Sequence, residues 1–114
     1  MFYGESKFQE AIVQTLRYNK IFHFSVPNGT KLKITQANKA KREGMTAGVS
    51  DLIILLPNRT VFVEIKNPNG KGRQSPAQKE FESKVKELGF EYLIWDKWEQ
   101  VQEFIKKESL CGKK

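Results

Sequence analysis

The sequence predicts an α/β fold, an α+β mixed sheet flanked by helices in the order αβαββαβα. Three observations carry this reading. Apolar residues recur at helical spacing in three separate stretches, strand-length apolar runs lie between them, and a turn of about four residues joins the two central runs. So short a turn makes the central strands an antiparallel hairpin.

The first helix is expected from about Glu5 to Tyr18, because Phe8, Ala11, Ile12, Thr15 and Leu16 fall on one face. At about 100° per residue Glu5 shares the band of Gln9, Ile12 and Leu16 and leans toward the core, whereas Glu10 points to water. Ile21 to Val26 reads as a strand that runs into a turn at Pro27-Asn28-Gly29. A short polar helix follows near Gln36 to Glu43, closed by Gly44. Asp51-Leu-Ile-Ile-Leu-Leu56 is a continuous apolar run, which suits a strand buried on both faces. Pro57 to Thr60 turns the chain into Val61 to Lys66, where Val61, Val63 and Ile65 share one face and Phe62, Glu64 and Lys66 the other.

Asn67 to Gln74 is a loop, and the next helix starts at a capping box. Ser75 is the expected N-cap, Pro76 suits the first helical position, and Gln78 stands where the box wants Glu or Gln. Phe81, Val85 and Leu88 form the apolar face of this helix, and Gly89 ends it. Phe90 to Trp95 is the last strand. Trp98, Val101, Phe104 and Ile105 mark a final amphipathic helix, and Trp95 and Trp98 are expected to pack in the core.

Length and composition bound the function. The 114 residues, 39% hydrophobic with a mean hydropathy of -0.57, read as one domain spanning 1-114, with a core over about 3-106 and a short basic tail. No apolar run reaches the ~20 residues that cross a bilayer. The Met-Phe-Tyr-Gly-Glu start lacks the regions of a signal peptide, so a cytosolic protein with no membrane association is expected. The lone Cys111 excludes disulfide frameworks and cysteine-based zinc sites within one chain, and reads as a tail thiol. The lone His23, on a strand, reads as structural and argues against nucleases built on several histidines. Any metal must then be held by carboxylates and carbonyls, the ligand set that suits Mg2+ or Mn2+. The net charge of +7 suggests a polyanionic partner. Its excess gathers in Lys31, Lys33, Lys39, Lys41 and Arg42, and again in Lys66, Lys71 and Arg73. Contact with DNA and a merely solvated helix face are both open readings of these residues.

The two basic clusters flank the residues that carry chemistry. Register counting across the hairpin sets Asp51 opposite position 64 or 66, at roughly 5 to 8 Å, so Asp51, Glu64 and Lys66 converge at one end of the sheet. Two carboxylates and an ammonium beside an apolar sheet are costly to bury unless they compensate one another or hold a metal. Phosphodiester cleavage needs an activated water and stabilisation of the charge that builds up at phosphorus. Asp51 and Glu64 can bind one or two hard cations, with the Ile65 backbone carbonyl as a further oxygen ligand and Glu5 completing the shell. Lys66 can orient the attacking water or stabilise the transition state. Taken singly, each piece has an ordinary explanation: Glu64 and Lys66 as a strand ion pair, Asp51 as a strand start, Glu5 as a helix-dipole partner and Gln78 as a cap.

The ordered set is what distinguishes the chain. Glu5-Ser6-Lys7-Phe8-Gln9, Gly48-Val49-Ser50-Asp51-Leu52, Val63-Glu64-Ile65-Lys66 and Ser75-Pro76-Ala77-Gln78 resemble the VRR-Nuc family of the PD-(D/E)XK nuclease superfamily, over nearly the whole chain. The resemblance implies a restriction-endonuclease-like core and metal-dependent DNA cleavage. It makes Asp51, Glu64 and Lys66 the catalytic triad, Glu5 the acidic residue of the first helix and Gln78 the glutamine that opens the helix after the triad. Ser50 departs from the proline common before this aspartate; it shapes the strand entry and carries no required chemistry. Stand-alone domains of this kind resemble phage and bacterial proteins, which implies a cytoplasmic homodimer acting on Holliday junctions or other branched DNA. Two alternatives remain: a non-catalytic DNA-binding module, and a nuclease subunit that needs a partner.

Overall fold

The computed structural model describes residues 4–27, 33–70 and 72–112, with side chains through residue 109. The element order is α1 (Gly4–Tyr18), β1 (His23–Ser25), α2 (Ile34–Arg42), β2 (Leu52–Leu56), β3 (Arg59–Ile65), α3 (Pro76–Glu87), β4 (Glu91–Trp95) and α4 (Trp98–Gly112). The sheet runs β1-β2-β3-β4, antiparallel across β1/β2 and β2/β3 and parallel across β3/β4. This is the expected mixed sheet. Its one parallel pair follows from α3, which carries the chain back across the sheet.

Leu52 and Ile54 of β2, Val61, Val63 and Ile65 of β3 and Trp95 of β4 share one face, where they bury against Phe8, Ile12 and Leu16 of α1 and Val101 and Phe104 of α4. Trp95 meets Phe104 edge-on at 5.4 Å between ring centres, and Trp98, only half-buried, meets Phe8 at 6.5 Å. On the opposite face α3 covers β3 and β4 with an aromatic cluster, Phe62 lying 5.9 Å from Phe81 and 6.0 Å from Phe90. Glu64 and Lys66 extend along this second face.

Several expectations are corrected. β1 is three residues, not Ile21 to Val26, although Leu55 N–H donates to Phe22 O and Val26 N–H to Asp51 O, so ladder bonds continue past its ends. β2 is not buried on both faces: it lies next to the end strand β1, and Ile53 is half-buried and Leu55 39% exposed. The hairpin turn is Pro57-Asn58 alone, with Arg59 and Thr60 already in β3. Proline sets the first turn position and Asn58 takes φ 62°, a left-handed conformation that asparagine tolerates. Leu88 is 74% exposed, because α3 ends at its C-cap and Gly89 turns the chain away at φ 90°. α2 begins at Ile34, two residues earlier than expected, and buries no side chain. The predicted turn residues Asn28 and Gly29, together with Lys31 and Lys71, lie outside the described residues, as does the Cys111 side chain. Among the described residues no helix is long and apolar enough to cross a membrane.

Candidate active site

The hairpin register decides which charged groups meet. Leu52 pairs with Val63, so the next step outward sets Asp51 opposite Glu64. Asp51 stands at the entry to β2 and turns its carboxylate across the strand end, where Oδ2 accepts the Ile65 N–H at 2.8 Å. An edge amide that would otherwise lack a partner is thereby satisfied, and the Asp51 side chain is fixed in place.

Glu64 is 1% exposed, an unusual place for a carboxyl group. Its Oε2 accepts Gln78 Nε2–H at 2.8 Å and faces Lys66 Nζ at 3.5 Å. Its Oε1 is buried with no hydrogen-bond partner among the described residues. Burial, and then the Asp51 charge, push the Glu64 carboxyl up to about 8, against the pull of Lys66. Lys66, 9% exposed, donates to Gln78 Oε1 at 2.9 Å and to the Arg73 carbonyl at 3.1 Å, while its backbone N–H extends the parallel ladder to Trp95 O.

Gln78 ties the constellation to α3. Its Oε1 also accepts the Ser75 N–H at 2.8 Å, and its own N–H donates to Ser75 Oγ at 3.2 Å, so the capping box is complete. One amide thus closes the helix start and bridges Glu64 and Lys66. Glu5, on the first turn of α1, is exposed, so its expected lean toward the core is only partial. Its pKa is still raised, by partial burial and then by the nearby Asp51 charge, with Lys66 acting in the opposite sense.

Two features of the site were not legible in the sequence. Gly48, at φ 77°, packs so tightly on the first turn of α3 that a Cβ there would stand 2.3 Å from Ala77 O and 2.7 Å from Gln78 N. The loop bearing Asp51 and the helix bearing Gln78 thus touch backbone to backbone. Gln74 donates to Glu82 Oε1 at 3.0 Å and to the buried Tyr92 hydroxyl at 3.4 Å. This pins the loop whose neighbouring residue, Arg73, supplies the carbonyl for Lys66. Glycine before the aspartate was the only sequence signal for the first feature; nothing marked Gln74.

Lys33, Lys39, Lys41, Arg42 and Arg73 are all exposed. Lys41 lines a cavity of about 280 Å³ together with Ser75 and Gln78, which brings the basic end of α2 beside the site. His23 is half-buried, and its Nδ1–H donates to Ile21 O at 2.9 Å. Among the described residues no three His, Cys, Asp or Glu side chains gather closely enough to enclose a metal ion. The carboxylate site is therefore the Asp51 and Glu64 pair, with Glu5 farther out.

No family model and no curated protein matches the sequence. Solved structures do. A VRR_NUC domain protein superposes with a TM-score of 0.75 at 24% identity, over 93% of this chain and 88% of the other. A second VRR_NUC domain superposes with a TM-score of 0.65 at 17% identity, over 90% and 94%. The chain has the fold of VRR-Nuc domains.

Proposed function

We propose, taking that VRR-Nuc fold as the premise, that the protein is a divalent-metal-dependent DNA endonuclease whose catalytic groups are Asp51, Glu64, Lys66 and Gln78. The observation that supports this reading is Glu64 itself: a buried carboxyl with one oxygen that no donor among the described residues reaches, directly across the hairpin from a second carboxylate. Such a pair is a poor structural element, because each charge raises the cost of the other. It is a good ligand pair for a hard cation, which would supply the missing partner of Oε1.

The residues present fit Mg2+ or Mn2+. Asp51 and Glu64 would hold the ion. The Ile65 carbonyl is a reasonable third ligand, since in an extended strand it points the same way as its N–H, which faces Asp51. Glu5, whose pKa the Asp51 charge helps raise, would hold a water of the shell. A bound cation would lower the pKa of a water and offset charge on the scissile phosphate. Lys66, fixed by Gln78 and Arg73 and 3.5 Å from Glu64, would orient the attacking water or offset charge in the transition state. Gln78 holds Glu64 and Lys66 in register with each other. Lys33, Lys39, Lys41, Arg42 and Arg73, together with Lys31 and Lys71, would bind the phosphates on either side and offset the repulsion of the carboxylates. A homodimer acting on Holliday-junction or other branched DNA completes the reading, since two symmetric sites can address two strands.

The test is cleavage of a labelled four-way junction and the matching linear duplex with Mg2+ or Mn2+, by the wild type and by Glu64→Ala. Metal-dependent cutting by the wild type alone supports the reading; equal cutting by the variant refutes it. Salt-sensitive binding without cleavage under either metal would instead favour a non-catalytic DNA-binding module, a reading supported by the exposed basic α2.

A further inference from the structure

A lysine ammonium rides on a flexible four-carbon stem, so one that must stand at a single point needs more than one restraint. Gln78 gives Lys66 the first, through Oε1 at 2.9 Å. The second comes from the loop after β3, in three consecutive residues. Gly72 lies on the stem: a Cβ there would stand 3.2 Å from both Cβ and Cδ of Lys66 and 3.1 Å from the Asn67 nitrogen. The Arg73 carbonyl accepts an Nζ–H at 3.1 Å. Gln74 gives its amide N–H groups to Glu82 Oε1 of α3 at 3.0 Å and to the Tyr92 hydroxyl of β4 at 3.4 Å.

Residues 72–74 thus form a strap across Lys66 whose far end is fastened to two regular elements. Tyr92 is 7% exposed and pairs with Phe62 in the parallel ladder, so this anchor is fixed relative to the strand that leads into Lys66. Glu82 is held in turn by Lys86 Nζ at 2.6 Å. Residues 72–75 belong to no helix or strand, so no regular backbone ladder fixes the Arg73 carbonyl. The side chain of Gln74 supplies the tie that such a ladder would otherwise give.

We propose that Gln74 is a positioning residue for phosphodiester cleavage: by anchoring the strap on Glu82 and Tyr92 it holds the Lys66 ammonium where it acts on the attacking water or the transition state. The inference rests on the nuclease reading and adds to it a residue outside the proposed catalytic groups. Two measurements test it. Proton–nitrogen NMR of lysine ammonium groups in the metal-free protein reads hydrogen exchange at Lys66, assigned by the signal lost in Lys66→Arg, and cleavage of labelled DNA with Mn2+ reads kcat and KM. Gln74→Ala should speed exchange at Lys66 by about tenfold, through loss of a bond to a charged group. It should lower kcat by up to about 100-fold and leave KM within about twofold, as a displacement on the order of 1 Å would. Glu82→Ala should shift exchange and kcat in the same sense, and Glu82→Gln, which keeps an acceptor oxygen for Gln74, should restore both. The Glu82 side chain is 20% exposed on α3, so this pair keeps the test valid should Gln74→Ala melt early. Val101→Ala, in the core on the opposite face of the sheet, controls for lost stability: it should melt earlier yet keep wild-type exchange and kcat well below its Tm. Unchanged Lys66 exchange or unchanged kcat in Gln74→Ala, no rescue by Glu82→Gln, or an equal kcat loss in Val101→Ala overturns the strap and leaves the nuclease reading intact. A wild type that cuts no DNA with Mg2+ or Mn2+ overturns the nuclease reading, and the positioning role with it.

Discussion

Replacing Glu64 with glutamine keeps the shape of the side chain and removes the charge that the site cannot satisfy without a cation. The Glu64 carboxyl is raised from 4.5 to about 8 by burial and by Asp51. In the metal-free protein the unfolded chain loses this proton near its ordinary value, while the folded chain keeps it until about 8. The folded state therefore binds more protons over that window, and stability falls as pH rises through it. At ~1.4 kcal/mol per pH unit the full span corresponds to at most about 5 kcal/mol. That span already contains the attraction of Lys66 at 3.5 Å; relaxation around the buried charge reduces it by about half, so a net gain of about 2–3 kcal/mol is expected for Glu64→Gln near pH 8.5, with none near pH 4.5. In a domain of this size that is a rise in Tm of about 10 °C. Thermal melts of both proteins in chelator across this pH range give the difference curve. Adding Mn2+ near pH 8 should then restore the wild type, by about 2.7 kcal/mol at 100-fold excess over Kd, and leave the variant unmoved. A variant no more stable than the wild type at alkaline pH would refute the account of Glu64. Equal stabilisation of both proteins by Mn2+ would refute the Asp51 and Glu64 pair as the metal site.

Other substitutions probe the supports of the site. Gln78→Ala removes the capping amide together with the bridge between Glu64 and Lys66, so it should cost about 1–2 kcal/mol in urea unfolding and lower kcat well beyond what lost folding explains. Gly48→Ala forces a Cβ onto the Ala77 carbonyl at a left-handed φ; a loss of at least about 1–3 kcal/mol is expected, read from the denaturation midpoint. Lys41→Ala should weaken DNA binding to a similar degree across sequences and flatten its salt dependence by about one phosphate contact, measured by titration at several salt concentrations. Leu88→Gln, at a 74% exposed position, should change stability by less than about 0.5 kcal/mol in a thermal melt.

Periodicity and punctuation in the sequence determined the element order, the hairpin, the helix start at Ser75-Pro76 and the convergence of Asp51, Glu64 and Lys66. These are local properties, set by side-chain period, turn chemistry and one short loop, and a linear reading reaches them. The tertiary structure decided what lies beyond nearest neighbours. It exposed Leu55 beside the edge strand β1, and Leu88 at the C-cap of α3. It sealed Glu64 to 1% exposure, because α3 lands on that side of the hairpin and brings Gln78 with it. It set Gly48 against Ala77 and fastened the Arg73 carbonyl to Lys66. The residues of the site were written in the chain; their burial, and with it the chemistry of Glu64, depends on which surfaces remote segments cover, and hydrophobic pattern alone does not encode that.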